Sequence, residues 1–364
     1  MAHTKQTCGD IAIRCVSLVR AAASLGMIVG ILLSSAYAQD TPPTNKAKDF
    51  TGFWTNANLT PVTRPRGVDK LVVPPDEARR MAASAPILGF PRDEADHVDY
   101  IDPDAPAPPR GSPDFGVKGY NSFWLATGDS LARVKGEYRT SNIVDPPNGQ
   151  IPYRNSTRPR DYRPAGGNFI SGAGLYDGPE YLGIAERCLI AFSGASGPGM
   201  FTPVYNSNYQ FILTQDHFVI LAEMVHDTRI IPIFANASQA RTSHKPDVIK
   251  PWMGDSVAWW DSDTLVVEST NLHPIQAQQG QIALSPKGRI IERFQRWADD
   301  EIFYAFTVED SEIYAQSWTV ENSFRPQSHM YEYACHEGNY AMPGILEGAR
   351  NLERELDAAR EAQR

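Results

Sequence analysis

The chain has 364 residues, 42% hydrophobic and 10% aromatic, with a formal net charge of −9. That length suits one large domain or two small ones, and the acidic balance argues against a nucleic-acid partner.

Residues 1–38 read as a secretory leader. Arg14 and Arg20 precede a neutral run from Ala21 to Leu33, followed by the small-residue site Ala36-Tyr37-Ala38. The apolar run is shorter than the roughly 20 residues that cross a bilayer. Cleavage after Ala38 and a periplasmic location are therefore expected, with no stable transmembrane segment after processing and with outer-membrane association left open. No cysteine stands directly after the site, which argues against a lipid-modified N-terminus. The remaining 326 residues carry 31 basic and 42 acidic side chains, a charge of −11. Cys188 and Cys335 are the cysteines left, in a compartment that permits disulfides, so they are expected to pair; two separate buried thiols are the alternative.

From Gln39 to Gly167 the chain is rich in Pro, Gly, Asp and Arg, as in Asp102-Pro-Asp-Ala-Pro-Ala-Pro-Pro-Arg110. Proline fixes φ and removes a donor, so long helices are not expected there. The apolar islands Phe50 to Trp54 and Tyr120 to Leu125 suggest an arm, residues 39–167, pinned to a larger body by aromatic anchors.

Residues 168–342 switch to β-branched and aromatic runs split by short polar turns, the pattern of antiparallel strands. The expected strands are Arg187–Phe192, Tyr209–Thr214, Phe218–Ile233, Val257–Trp260, Thr264–Thr270, Arg289–Trp297, Ile302–Val308, Ser317–Val320 and Met330–His336. Hairpin turns fall at Gln215 to His217, Asp261 to Asp263 and Ala298 to Glu301. A meander of this size must close or stack. The expected fold is mainly β, an antiparallel meander closed as a lipocalin-like (calycin-type) barrel or a sandwich. The loop Gly194 to Gly199 is read as a connection only. Residues 343–364 place Ile345, Leu346, Ala349, Leu352, Leu356 and Ala359 at helical spacing, which predicts one C-terminal helix packed on the β domain.

Two segments carry the candidate chemistry. Glu223-Met-Val-His-Asp-Thr-Arg229 sets ionisable groups in an apolar run, where they are costly unless paired or used. Alternation puts Glu223, Asp227 and Arg229 on one face. Facing into a barrel, Arg229 would grip a carboxylate with two prongs, and Glu223 or Asp227 would accept a proton or orient the Arg. A structural ion pair is the competing reading. Imidazoles titrate near neutrality, which makes His226 a candidate for proton transfer. In the second segment, Tyr331 to Asn339, alternation groups Tyr331, Tyr333, Cys335 and Glu337. A bridge from Cys335 to Cys188 would bring Glu186 and Arg187 towards His336 and Glu337. Arg187, Tyr205 and Tyr331 are candidate substrate-binding residues, and Tyr333, His336 and Glu337 join the catalytic candidates. The competing reading is a disulfide-stapled sheet corner.

His226-Asp227 and His336-Glu337 lack the His-Glu-x-x-His spacing of a zinc helix, and no metal or organic cofactor is expected. There is no Gly-x-Ser-x-Gly elbow, no Gly-x-Gly-x-x-Gly and no phosphate loop, which disfavours triad hydrolases and nucleotide enzymes.

Several stretches together resemble a group of exported proteins of proteobacteria and acidobacteria. They include Tyr120-Asn-Ser-Phe-Trp124, Arg139 to Tyr153, Glu186-Arg-Cys-Leu189, Tyr205-Asn206, Glu223 to Arg229, Trp252-Met-Gly-Asp-Ser256, Asp263 to Val267 and Tyr331 to Asn339. The chain is also similar to sphingomonad enzymes that decarboxylate a lignin-derived phenylcoumaran acid, opening the furan ring to a stilbene. That resemblance implies a cofactor-independent carboxy-lyase acting on a small aromatic acid. The alternative is a periplasmic carrier or sensor of a small aromatic or apolar ligand, without catalysis. Asp49-Phe-Thr-Gly-Phe-Trp54 resembles the Gly-x-Trp that begins a lipocalin-like barrel. The sequence leaves the oligomeric state open.

Overall fold

The computed structural model describes residues 48–85, 127–155, 178–191, 194–279 and 282–364. The expected leader and the Tyr120 to Leu125 island lie outside these. Thirteen strands are described: β1 (Gly52–Thr55), β2 (Val72–Val73), β3 (Arg133–Val134), β4 (Glu137–Arg139), β5 (Ile143–Asp145), β6 (Asn208–Leu213), β7 (His217–Ala222), β8 (Thr228–Phe234), β9 (Asp255–Asp261), β10 (Thr264–Thr270), β11 (Arg289–Ala298), β12 (Glu301–Glu309) and β13 (Trp318–Pro326). The helices are α1 (Pro75–Ala83), α2 (Ala237–Thr242), α3 (Pro274–Gln279) and α4 (Ala341–Ala362).

Nine strands close a lipocalin-like barrel in the order β1-β6-β7-β8-β9-β10-β11-β12-β13, sealed by β1 against β13, with β5 added beside β13. Closure leaves no unpaired edge among these nine. The three expected hairpins are present, joining β6 to β7, β9 to β10 and β11 to β12. One joint departs from the antiparallel expectation, because β8 and β9 run parallel. Parallel neighbours need a crossover of a dozen or more residues, and the stretch holding α2 supplies it.

Alternate residues point inward, as a half-buried pleat requires. Tyr209 and Phe211 on β6, Ile290 and Phe294 on β11, Tyr304 and Phe306 on β12, and Trp318, Val320 and Phe324 on β13 are all fully or nearly fully buried. Phe211, Phe218, Phe294 and Phe324 meet edge to face, with ring centroids 5.0–6.0 Å apart. The lumen of the barrel is packed with these side chains rather than open as a cup.

Part of the expected arm belongs to the barrel itself. Phe50 is fully buried in the core, Trp54 nearly so, and β1 is the strand that closes the barrel. Trp54 Nε1 donates to the Phe50 carbonyl, and the Arg296 guanidinium stands 4.7 Å from the Trp54 ring.

Four other expectations are corrected. Arg187–Ala191 forms turns rather than a strand, and Phe192 is outside the described residues. Met330–His336 is irregular. The run Phe218–Ile233 is broken between β7 and β8 by a 3-10 turn over Met224–His226. The C-terminal helix forms, but no residue of α4 is fully buried and Leu352 and Leu356 are half exposed, so it does not pack on the barrel as a core element.

Outside the barrel, α2 covers Val257, Trp259, Val266 and Ile291, and Asn236 caps it by accepting from the Gln239 N–H. An ionic cluster fixes that layer. His244 Nδ1 lies 2.8 Å from Asp255 Oδ2 and Nε2 lies 3.5 Å from Glu268 Oε1, while Lys245 and Arg241 flank the two carboxylates. Burial alone would lower the His244 pKa, but the bonds and charges of Asp255 and Glu268 overcome this and raise it to about 9. A raised folded-state pKa gives stability that is complete below the unfolded value of about 6.5 and lost as pH climbs through about 9. The melting temperature should therefore fall across that window. His244→Gln should flatten the fall, and an unchanged slope would contradict the assignment.

Candidate functional site

The structure divides the two sequence segments between two places. Arg229 does face the lumen, as alternation with Ile231 requires, and there it meets Glu292 of β11. Its Nη1 donates to Glu292 Oε1 at 3.1 Å, its Nη2 pairs with Glu292 Oε2, and Nη2 also lies 3.3 Å from the Ser256 and Ser269 hydroxyls. Tyr304 donates to Glu292 Oε1 at 2.7 Å, and the Gly199 N–H reaches the same oxygen at 3.2 Å. Burial alone would lower the Arg229 pKa, but the Glu292 charge and hydrogen bonds raise it. Burial, with Glu292 beside it, also pushes the Tyr304 hydroxyl well above its ordinary value. Both prongs of the guanidinium are committed to protein, so this is the structural ion pair.

The loop through Gly194 to Met200 is more than a connection. It lies against the lumen, where the Met200 N–H donates to the Tyr304 hydroxyl. Gly197 and Gly199 have φ of +73° and +76°. A Cβ on Gly197 would stand 2.8 Å from Arg229 Nη1, and one on Gly199 would stand 2.6 Å from Ile282 Cδ1, so both positions need glycine for close approach. Asp227 is part of the same loop's support: its Oδ2 accepts from the Ala191 N–H and the Ser196 hydroxyl. Burial raises the Asp227 pKa against those two bonds.

The other candidates gather outside the barrel. Cys188 and Cys335 are bonded, as expected. Around the bridge lies a cleft of about 660 Å³ lined by Tyr205, Tyr331 and Tyr333, by Glu186, Glu332, Asn206 and Asn339, and by Met342 and Ile345 of α4. That volume is within the usual range for a small-molecule site. The bridge and a hydrogen bond from Asn339 Nδ2 to the Glu186 carbonyl, 2.8 Å, hold the irregular Tyr331 to Tyr340 segment in place. Because that segment is not a strand, Glu332 and Ala334 line the cleft together with Tyr331, Tyr333 and Cys335.

His226 stands beside this cleft. Its Nδ1 is 3.2 Å from the Tyr333 carbonyl, which can only accept, so Nδ1 carries the proton and Nε2 is left as the basic nitrogen of the neutral ring. Glu223 is buried and accepts from Asn206 Nδ2 at 2.7 Å and Asn208 Nδ2 at 2.6 Å. It therefore positions a cleft-lining Asn rather than touching a ligand. His336 and Glu337 are exposed and do not line the cleft. Arg187 is not among the lining either, although its neighbours Glu186 and Cys188 are.

One signal marks the cleft independently of its side chains. Among the described residues seven non-glycine positions have positive φ, and four of them are Cys188, Asn206, Val225 and His226. Val225 at φ 61° is β-branched, for which this conformation is a genuine outlier. Costs of about 1–3 kcal/mol per residue persist only where the surroundings impose them, and such residues concentrate at functional sites. The strained turn also explains why alternation failed between Glu223 and Arg229.

Among the described residues no group of three or more His, Cys, Asp or Glu side chains could hold a metal ion, and no helix is long and apolar enough to cross a membrane. Compared with known proteins, the chain matches no family model, no curated protein and no solved structure.

Proposed function

We propose that this protein binds a small aromatic molecule in the cleft formed by Tyr205, Tyr331 and Tyr333. The observation that carries this reading is the coincidence of that tyrosine-lined cleft with the four left-handed residues Cys188, Asn206, Val225 and His226. Aromatic faces favour offset or edge-on rings, and Asn206, whose Nδ2 is held by Glu223, offers its amide oxygen to orient a polar substituent. The filled lumen argues for the outer cleft over a ligand held inside the barrel. Titration with lignin-derived aromatic monomers and dimers, followed by intrinsic fluorescence, should saturate. Tyr333→Ala should weaken binding about tenfold, equivalent to about 1.4 kcal/mol. An absence of saturable binding across that series would refute the reading.

A second reading, ring-opening decarboxylation of a phenylcoumaran acid, is favoured by the proton-carrying groups around the same cleft. Tyr205, Tyr333, Glu186 and Glu332 line it and His226 adjoins it. In that reaction the bond to the carboxylate breaks and releases CO2, and its electron pair forms the new double bond. The furan carbon–oxygen bond breaks towards oxygen, and the phenoxide takes one proton from a Tyr or His. No electron acceptor beyond the substrate is needed. A stilbene absorbance that grows without added cofactor, and that His226→Gln slows, supports the lyase; tight binding without turnover supports a carrier.

A further inference from the structure

The cleft around the disulfide is uneven in the polar groups it offers. Two carboxylates, Glu186 and Glu332, line it, and no Lys or Arg is found among the described lining residues. Arg187 follows Glu186 in sequence but is not part of the lining. An aromatic acid held there would set its carboxylate among carboxylates, without a cation to answer it.

The hydrogen-bond inventory leans the same way. The side-chain nitrogens that could donate in or beside the cleft are engaged by the protein: Asn206 Nδ2 by Glu223 Oε1 at 2.7 Å, Asn339 Nδ2 by the Glu186 carbonyl at 2.8 Å, and His226 Nδ1 by the Tyr333 carbonyl at 3.2 Å. Asn339 Oδ1 is taken as well, accepting from the Met342 N–H at 3.3 Å. The groups left over are acceptors. Glu186 Oε2 accepts from the Gly183 N–H, but among the described residues Glu186 Oε1, both Glu332 oxygens and the Asn206 amide oxygen have no protein donor. The hydroxyls of Tyr205, Tyr331 and Tyr333 donate or accept and favour neither sign, whereas the faces of their rings carry negative potential and attract cations.

We infer that the cleft takes an aromatic ligand bearing a protonated amine, an arylalkylammonium, and discriminates against the matching carboxylate. The ammonium N–H groups donate to Glu186 and Glu332 in charge-assisted bonds, and the ring packs among the tyrosines. This deepens the aromatic-binding reading and rests on it for the place of the ring. It weighs against an acid substrate, and so against the lyase. Both carboxylates are exposed, so water and salt screen them and the preference is modest, about tenfold.

The test is calorimetric titration of the protein with benzylamine, benzyl alcohol and benzoate, which share a ring and differ in charge. Near neutral pH and at low ionic strength, benzylamine should bind about tenfold more tightly than benzyl alcohol, and benzoate more weakly than either. Glu186→Gln combined with Glu332→Gln should erase the lead of benzylamine and leave benzyl alcohol unchanged. Both positions are exposed and glutamine keeps an acceptor for the Gly183 N–H, so the melting temperature should hold. Benzoate binding as tightly as benzylamine, or a double variant that keeps the preference, would overturn the inference. The two readings separate through Tyr333→Ala. If the three ligands bind alike and this change weakens them all, the aromatic cleft stands and the charge preference falls. If the double variant erases the lead of benzylamine while Tyr333→Ala changes nothing, the carboxylates hold the amine and the aromatic reading falls. Absence of saturable binding by all three would remove both.

Discussion

Replacing Arg229 by Met should destabilise the barrel by about 3–5 kcal/mol, because it leaves the Glu292 carboxylate buried without its counter-charge. The loss belongs to the uncompensated anion more than to the missing attraction, and a second change can separate the two. Arg229→Met combined with Glu292→Gln removes both charges but keeps an acceptor for the Tyr304 hydroxyl and the Gly199 N–H. The double variant should recover at least half of the lost stability, as denaturant midpoints would report. If Arg229 instead gripped a substrate, Arg229→Lys would keep the midpoint and lose ligand binding.

Loss of the disulfide is the second large effect. The Cys188–Cys335 bridge joins residues 147 apart, and restricting an unfolded loop of that size is worth about 2–5 kcal/mol in the chain-entropy account. The segment it holds contains no strand between Met330 and Tyr340 and depends otherwise on contacts such as Asn339 to Glu186 and His226 to Tyr333. Cys188→Ser with Cys335→Ser should therefore lower the denaturant midpoint and also weaken ligand binding at temperatures where the barrel is still folded. A variant with an unchanged midpoint and intact binding would remove the bridge from any role in shaping the cleft.

Much of the barrel was legible in the sequence because the signal is local. Alternation in Arg289–Trp297 and Ile302–Val308, with the polar turn between them, marks a hairpin without reference to anything distant. The later part of β13 was missed because Glu321, Asn322, Ser323 and Arg325 hide the period-2 pattern that Val320 and Phe324 still carry. The closing role of β1 was hidden by the proline-rich composition around it, although Phe50 and Trp54 were recognised as anchors.

The site was legible in its parts and not in its grouping. The disulfide was expected from the two remaining cysteines, and Tyr331 and Tyr333 were grouped with Cys335, whereas nothing in the sequence placed Tyr205 beside them. The pairing of Arg229 was not legible because its partner lies 63 residues away; the available hint was Glu292, a carboxylate on the inward phase of Ile290 and Phe294. Alternation could not be carried from Glu223 to Arg229 across the left-handed pair Val225 and His226, and no residue type there announces such a turn.

The most direct measurement is 19F NMR of the protein labelled with 3-fluorotyrosine, titrated with an aromatic ligand that binds. The resonances of Tyr205, Tyr331 and Tyr333 should move saturably while those of Tyr209, Tyr304 and Tyr314, buried in the barrel, hold still. Movement confined to the buried set would place the ligand in the lumen and contradict the assignment of the site to the outer cleft.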